Sequence, residues 1–166
     1  ALGTLGNVLA SAWPERSRSA TVQEALAAGR LVPLFQNTEA RREQLVAISP
    51  DVVLDHPFGH TRPPTDLAGT WVPLGEYLDE HPLARAEWIR FFGVLFGHRE
   101  KADSLYFAIA ERYSRTAALV APSTHHPEVF FGSAWQGTWN VPPGNSYMAR
   151  LIKDAGGEYL YAGQMA

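Results

Sequence analysis

Tyr77–Trp88 reads YLDEHPLARAEW. An acidic loop, Asp79-Glu80, runs directly into a helix start. Pro82 suits a first helical turn, where its missing N–H is not needed. Ala84, Trp88, Phe91, Phe92 and Leu95 then recur at helical spacing, which predicts a helix from about Leu83 to Phe96. Gly97 and His98 break it, and a second helix is expected from about Glu100 to Val120, with no strand between. Ala102, Leu105, Ile109, Tyr113, Ala117 and Val120 make its apolar stripe. Such a helix is on the order of 30 Å long, long for packing inside a small domain and suited to a strut between two lobes.

Working outward, apolar runs alternate with helical patterns. Strands are expected at Asn7–Ala10, Leu31–Phe35, Asp51–Leu54 and Trp71–Leu74, with helices at Thr21–Ala28 and Glu39–Ile48. Gly29 ends the first of these helices, Asn37 or Thr38 caps the second, and Pro50 ends it. Pro122–Pro127 reads as linker, Val129–Phe131 as strand and Gly132–Gly144 as a long loop. Asn145 or Ser146 caps a helix through Ala155, stopped by Gly156-Gly157, and Glu158–Tyr161 reads as a strand. Alternation of strand and helix implies α/β organisation with largely parallel sheets.

The chain has 166 residues, 46% of them hydrophobic, enough for one domain or two small lobes with a packed core. A net charge of -3 argues against a nucleic-acid partner. No apolar run reaches the roughly 20 residues of a membrane span. Cysteine is absent, so neither disulfides nor thiolate ligands operate. The chain opens on Ala1 and closes on Gln164-Met165-Ala166, and both ends read as cuts in a longer protein.

Three segments carry a resemblance: Glu43–Leu54 (EQLVAISPDVVL), Tyr77–Trp88, and Ser133–Gly157 (SAWQGTWNVPPGNSYMARLIKDAGG). Together they resemble the helical-backbone periplasmic binding proteins that serve iron-siderophore, haem and cobalamin ABC transporters. The resemblance implies two small α/β lobes bridged by one long helix, with ligand held between the lobes. It divides the chain into a first lobe at 1–97, a linking helix at 98–121 and the start of an incomplete second lobe at 122–166. It implies a monomeric, non-enzymatic binding component, periplasmic or lipid-anchored at the outer face of the cytoplasmic membrane, which delivers its ligand to a membrane permease. It also implies that Glu43, matched by its register to Pro50-Asp51, starts its helix on the outer face and pairs with the permease.

Ligands of open α/β sheets bind at the carboxyl ends of strands. Two loops qualify. One follows Leu54 and carries His56 and Phe58; the other follows Phe131 and carries Trp135 and Trp139. Aromatic rings offer broad, stiff surface to planar ligands such as corrins, porphyrins and catechols. His56 and His60 stand four apart, but Pro57 and Gly59 oppose the helix that would give that spacing a geometry. No metal site and no resident cofactor is assigned, and His125-His126 reads as linker.

Two other classes compete. An α/β-hydrolase-like or other small-molecule enzyme could use Asp55, His56 and Ser133, but no G-x-S-x-G elbow exposes a serine. Neither a P-loop nor a G-x-G-x-x-G cradle is present. Asp79, Glu80 and Glu87 flank a helix start, where the macrodipole favours carboxylates without any catalytic role. The second competitor is a non-transport ligand-binding module on the same fold.

Overall fold

A computed structural model gives the fold and describes residues 2–56 and 69–165. The chain divides into two compact units, Ala1–Gly75 and Glu76–Ala166.

The first unit alternates strand and helix: β1 (Ala10–Ser11), α1 (Ala20–Ala27), β2 (Val32–Pro33), α2 (Thr38–Ile48), β3 (Val52–Asp55) and β4 (Thr70–Pro73). β1 pairs in parallel with β2, and β3 with β4. Ala25 of α1, Leu45 of α2 and Leu31, just before β2, are buried. Asn37 is the cap of α2: its side chain accepts from the backbone N–H groups of Glu39 and Ala40 at 3.0 and 3.1 Å. The strand expected at Asn7–Ala10 begins instead at Ala10, because Asn7 and Val8 donate to Thr4 and Leu5 and close a 3-10 turn.

The second unit opens on a stretch that knits itself together. Pro82 takes the first position of α3 (Pro82–Leu95), and His81 caps it, Nδ1 accepting from Leu83 N–H at 3.0 Å. Arg85 donates to the carbonyls of Asp79 and Tyr77, and the Trp88 indole donates to the Asp79 carboxylate at 2.7 Å. Gly97 at φ +71 ends α3, and His98 N–H reaches back to Gly93 carbonyl. α4 (Arg99–Val120) follows as 22 unbroken residues. α3, which the sequence reading places with the elements before it, packs on α4. At Gly93 the two helices leave no room for a side chain: an added Cβ would overlap the Cβ of the fully buried Ala102.

β5 (Glu128–Val129), β6 (Ser133–Trp135), β7 (Thr138–Asn140), α5 (Tyr147–Asp154) and β8 (Glu158–Tyr159) complete the unit. β5 and β8 are parallel, and β6 and β7 antiparallel. The long loop expected at Gly132–Gly144 therefore contains a hairpin. Its turn is Gln136-Gly137, both at positive φ, as a two-residue hairpin turn requires. Ser146, not Asn145, caps α5, accepting from Ala149 N–H. β5 and β8 stop short of their expected ends, so Phe130, Phe131, Leu160 and Tyr161 leave the sheet.

α5 is fastened to both long helices. Arg85 of α3 lies 4.1 Å over the Tyr147 ring, and Asn145 donates to Glu80 at 2.9 Å. Tyr113 of α4 donates to the Asp154 carboxylate at 2.8 Å, and Arg150 Nε donates to both of its oxygens. Burial, and then the bond to Asp154, raise the Tyr113 phenol to about 12. Burial alone pushes the Asp154 carboxyl up, but hydrogen bonds from Arg150 and Tyr113 outweigh it and hold it below its ordinary value.

Two outcomes follow from this packing. Gly93→Val should lower stability by about 1–3 kcal/mol, measured as the urea midpoint, because the crossing has no room for a side chain; an unchanged midpoint would contradict that crossing. The Asp154 contribution is present above about pH 4 and should be lost as pH falls through the depressed native value, where the folded carboxylate finally takes its proton. A pH series of urea midpoints for the parent and Asp154→Asn should converge in acid, and parallel curves would remove the assignment.

Candidate functional site

In the second unit, the chain leaves β5 through Phe130 and leaves β8 through Leu160 and Tyr161. Both exits are at the carboxyl end of a parallel pair, the edge where open α/β sheets present side chains to ligands. Phe130 meets Trp139 at 5.2 Å and Tyr161 at 6.1 Å, both edge-on, and Tyr161 meets Tyr159 at 6.0 Å. Edge-to-face contacts of this kind hold rings in fixed orientation while leaving faces open. Phe130 is exposed, and Trp139 is 60% exposed. The result is an aromatic wall made by the ends of two strands and one hairpin.

The hairpin register separates the two expected tryptophans. Ala134 pairs with Trp139 and Trp135 with Thr138. Side chains alternate along a strand, so Trp139 and Trp135 stand on opposite faces of the ribbon. Trp139 faces Phe130; Trp135, at 69% exposure, lies on the other face. Phe130 and Tyr161 were missed by sequence reasoning because both were placed inside strands.

In the first unit, His56 is exposed and directly follows β3. Phe58 lies outside the described residues. The end of β1 is followed by the exposed Trp13, whose ring carries the Arg16 guanidinium at 5.5 Å, and the end of β2 by the exposed Phe35. Gln36 donates to Ala12 carbonyl at 2.9 Å and ties the two exits together. Gln44 of α2 grips the second exit, donating to Pro33 carbonyl and accepting from Phe35 N–H, each at 3.0 Å. Trp13 and Phe35 had a legible signal, an aromatic one or two residues past a strand, but the strand limits around them were misplaced.

Glu43 is exposed, yet it sits in the middle of α2 and not at its start. The correction comes from the Asn37 cap, which begins the helix more than a turn earlier.

The acidic groups near α3 are tied into the scaffold: Asp79 to Trp88, Glu80 to Asn145, and Glu87 to Arg90 at 2.6 Å. His126, expected as plain linker, donates from Nδ1 to Gly156 carbonyl at 3.0 Å. Among the described residues no group of three or more His, Asp or Glu stands together as a metal site. Two concavities of this unit lie elsewhere. One of about 680 Å³ surrounds the start of α5, and one of about 700 Å³ separates α4 from α5. Neither is lined by Phe130, Trp139 or Tyr161, and the wall presents the exposed Phe130 and Trp139 to solvent.

The sequence profile of the periplasmic binding proteins matches residues 6–165. An uncharacterized lipoprotein of Methanocaldococcus jannaschii is 24% identical over 148 residues, covering 84% of this chain and 35% of that protein. An ABC transporter substrate-binding protein of Listeria monocytogenes has a similar fold, with a TM-score of 0.59 and 20% identity over 76% of this chain and 48% of its own. A protein of Staphylococcus epidermidis described as a possible iron-binding, periplasmic solute-binding protein gives a TM-score of 0.61 at 10% identity, over 96% of this chain and 68% of its own. The chain thus spans about a third of the curated relative and about half of the Listeria protein.

Proposed function

Because this chain belongs to the periplasmic binding protein family, we propose that it is the ligand-capturing part of the substrate-binding component of an ABC importer. It works outside the cytoplasmic membrane, free in the periplasm or held by a lipid anchor, as the lipoprotein relative suggests. Among the described residues no helix is long and apolar enough to cross a membrane.

The observation that carries the reading is the aromatic wall of Phe130, Trp139 and Tyr161 at the carboxyl ends of β5 and β8. It offers fixed, uncharged ring edges and faces to solvent, the surface that a large planar ligand needs. Iron-siderophore complexes, haem and cobalamin fit that requirement, and the Staphylococcus protein's description favours an iron-bearing ligand. In the first unit Trp13 with Arg16, Phe35 and His56 stand at strand ends and are that unit's own ligand contacts, with Phe58 two residues after His56 in sequence. Trp135, on the far face of the hairpin, contributes at the rim. Glu43, exposed on α2, is the permease-docking charge. The role is binding and delivery, without covalent chemistry.

Trp139→Ala should weaken binding more than tenfold, since a truncated aromatic anchor costs about 2 kcal/mol or more. Trp135→Ala should cost less, because that ring stands off the wall. Calorimetry of the protein with haem, ferric siderophores and cobalamin measures both; equal affinities for Trp139→Ala and parent would remove the wall from the site. For docking, Glu43→Arg should reduce uptake in cells carrying the whole transporter while leaving ligand affinity unchanged, because a rim charge governs partner association. Normal uptake with the reversed charge would discard Glu43.

A further inference from the structure

The hairpin that carries Trp139 is only three residues per strand, and both its strands are exposed along their length. An isolated two-stranded hairpin is marginal in water. Something outside it must fix its placement against Phe130. Gly132 at its entry leaves no room for a side chain: a Cβ would stand 2.9 Å from Asn140 carbonyl oxygen and 3.1 Å from Val141 Cγ1. The two stems of the hairpin are therefore in contact, and one buried group reaches both.

That group is the Tyr159 hydroxyl. Tyr159 is 6% exposed, and its ring packs in a core with Ala149, Ile152, Val129 and Tyr161. Its single O–H donates to Pro142 carbonyl oxygen at 2.7 Å, just after β7, while Phe131 carbonyl oxygen, just before β6, stands 3.5 Å away as the weaker second acceptor of that proton. The two carbonyls bracket the hairpin. Proline has no N–H, so the stem at Pro142-Pro143 cannot fasten itself through backbone donors. Burial, and then the nearby Tyr161, raise the Tyr159 phenol, so it keeps its proton and remains a donor. The stem is gripped a second time at Gly144, whose N–H donates to Gln164 carbonyl and whose Cα faces the Ala162 backbone.

We infer that Tyr159 is a positioning residue: its hydroxyl pins the exit stem of the β6–β7 hairpin at Pro142, beside the entry stem at Phe131, and thereby holds Trp139 in the aromatic wall. This rests on the proposed ligand role of that wall, but the clasp is a geometric claim that can be read without ligand. Tyr159 makes no use of its own ring as a ligand surface, since the ring is committed to the core. It acts through the hairpin.

The experiment is Tyr159→Phe, which keeps the ring and removes the oxygen, with Tyr161→Phe as the neighbouring-phenol control. Amide hydrogen exchange is followed at Ser133–Asn140 and at α5, and Trp139 is read by the fluorine resonance of 5-fluorotryptophan, assigned with Trp139→Phe. The expected result in Tyr159→Phe is hairpin exchange faster by about fivefold, the factor one net hydrogen bond carries, with α5 unchanged. The Trp139 resonance should move or broaden, and affinity for haemin as the probe should fall by a similar factor. Tyr161→Phe should leave hairpin exchange as it was. Unchanged hairpin exchange and an unmoved Trp139 resonance in Tyr159→Phe would overturn the clasp, whether or not haemin binds. Equal acceleration of hairpin and α5 would also overturn it, since that is general loosening of the core. If the parent protein binds no probe while Tyr159→Phe still frees the hairpin and shifts Trp139, the clasp stands and the ligand reading falls.

Discussion

The close crossing of α3 and α4 at Gly93 and Ala102 is the constraint on which the second unit depends. Helices approach to backbone contact only where side chains are absent or minimal, and dense packing then fixes their mutual geometry. From that fixed pair, α4 projects Tyr113 and α3 projects Arg85, and these two side chains receive α5 through Asp154 and Tyr147. α5 in turn buries Ala149 and Ile152 against Tyr159 of β8. The aromatic wall is thus three contacts removed from the crossing, and each contact is specific.

This dependence explains how such short strands can present anything rigidly. β5 and β8 are two residues each, and two paired strands of that length have no stability of their own. Their position comes from the helix beneath them. The same economy holds in the first unit, where Gln44 of α2 holds the exit of β2 by its backbone and Asn37 sets where α2 begins. Helices hold the strand ends and the hairpin in place, and these present Trp13, Phe35, Phe130, Trp135 and Trp139 to solvent.

Charged groups divide in the same way. Arg90, Glu87 and Asp103 pair on the surface of the helical hairpin, where such pairs contribute little. Arg150, Asp154 and Tyr113 form the more shielded network, and there the arrangement joins two elements that no backbone bond connects. The carboxylates of the Tyr77–Trp88 stretch are structural for the same reason: each is spent on an indole, an amide or a guanidinium nearby.

By itself the sequence determined the α/β class, the two consecutive helices and most helix limits, because periodicity, caps and glycine stops are local signals. Pro82 and Gly97 marked the ends of α3, and the apolar stripe of α4 proved to be its inward side except at Ile109, which is exposed. It also marked His56, Trp135 and Trp139 as aromatic or polar residues near strand ends, and Gly-rich chain after Phe131. What it could not decide was where each strand stops, since a two-residue parallel strand is defined by its partner across space and not by its own residues. That is why Phe130, Tyr161 and Phe35 went unseen, and why the hairpin register, which turns Trp135 away from Trp139, had to come from the pairing. Only tertiary structure brought Tyr159 beneath the hairpin, because the oxygen it grips at Pro142 is seventeen residues away and no periodicity links them.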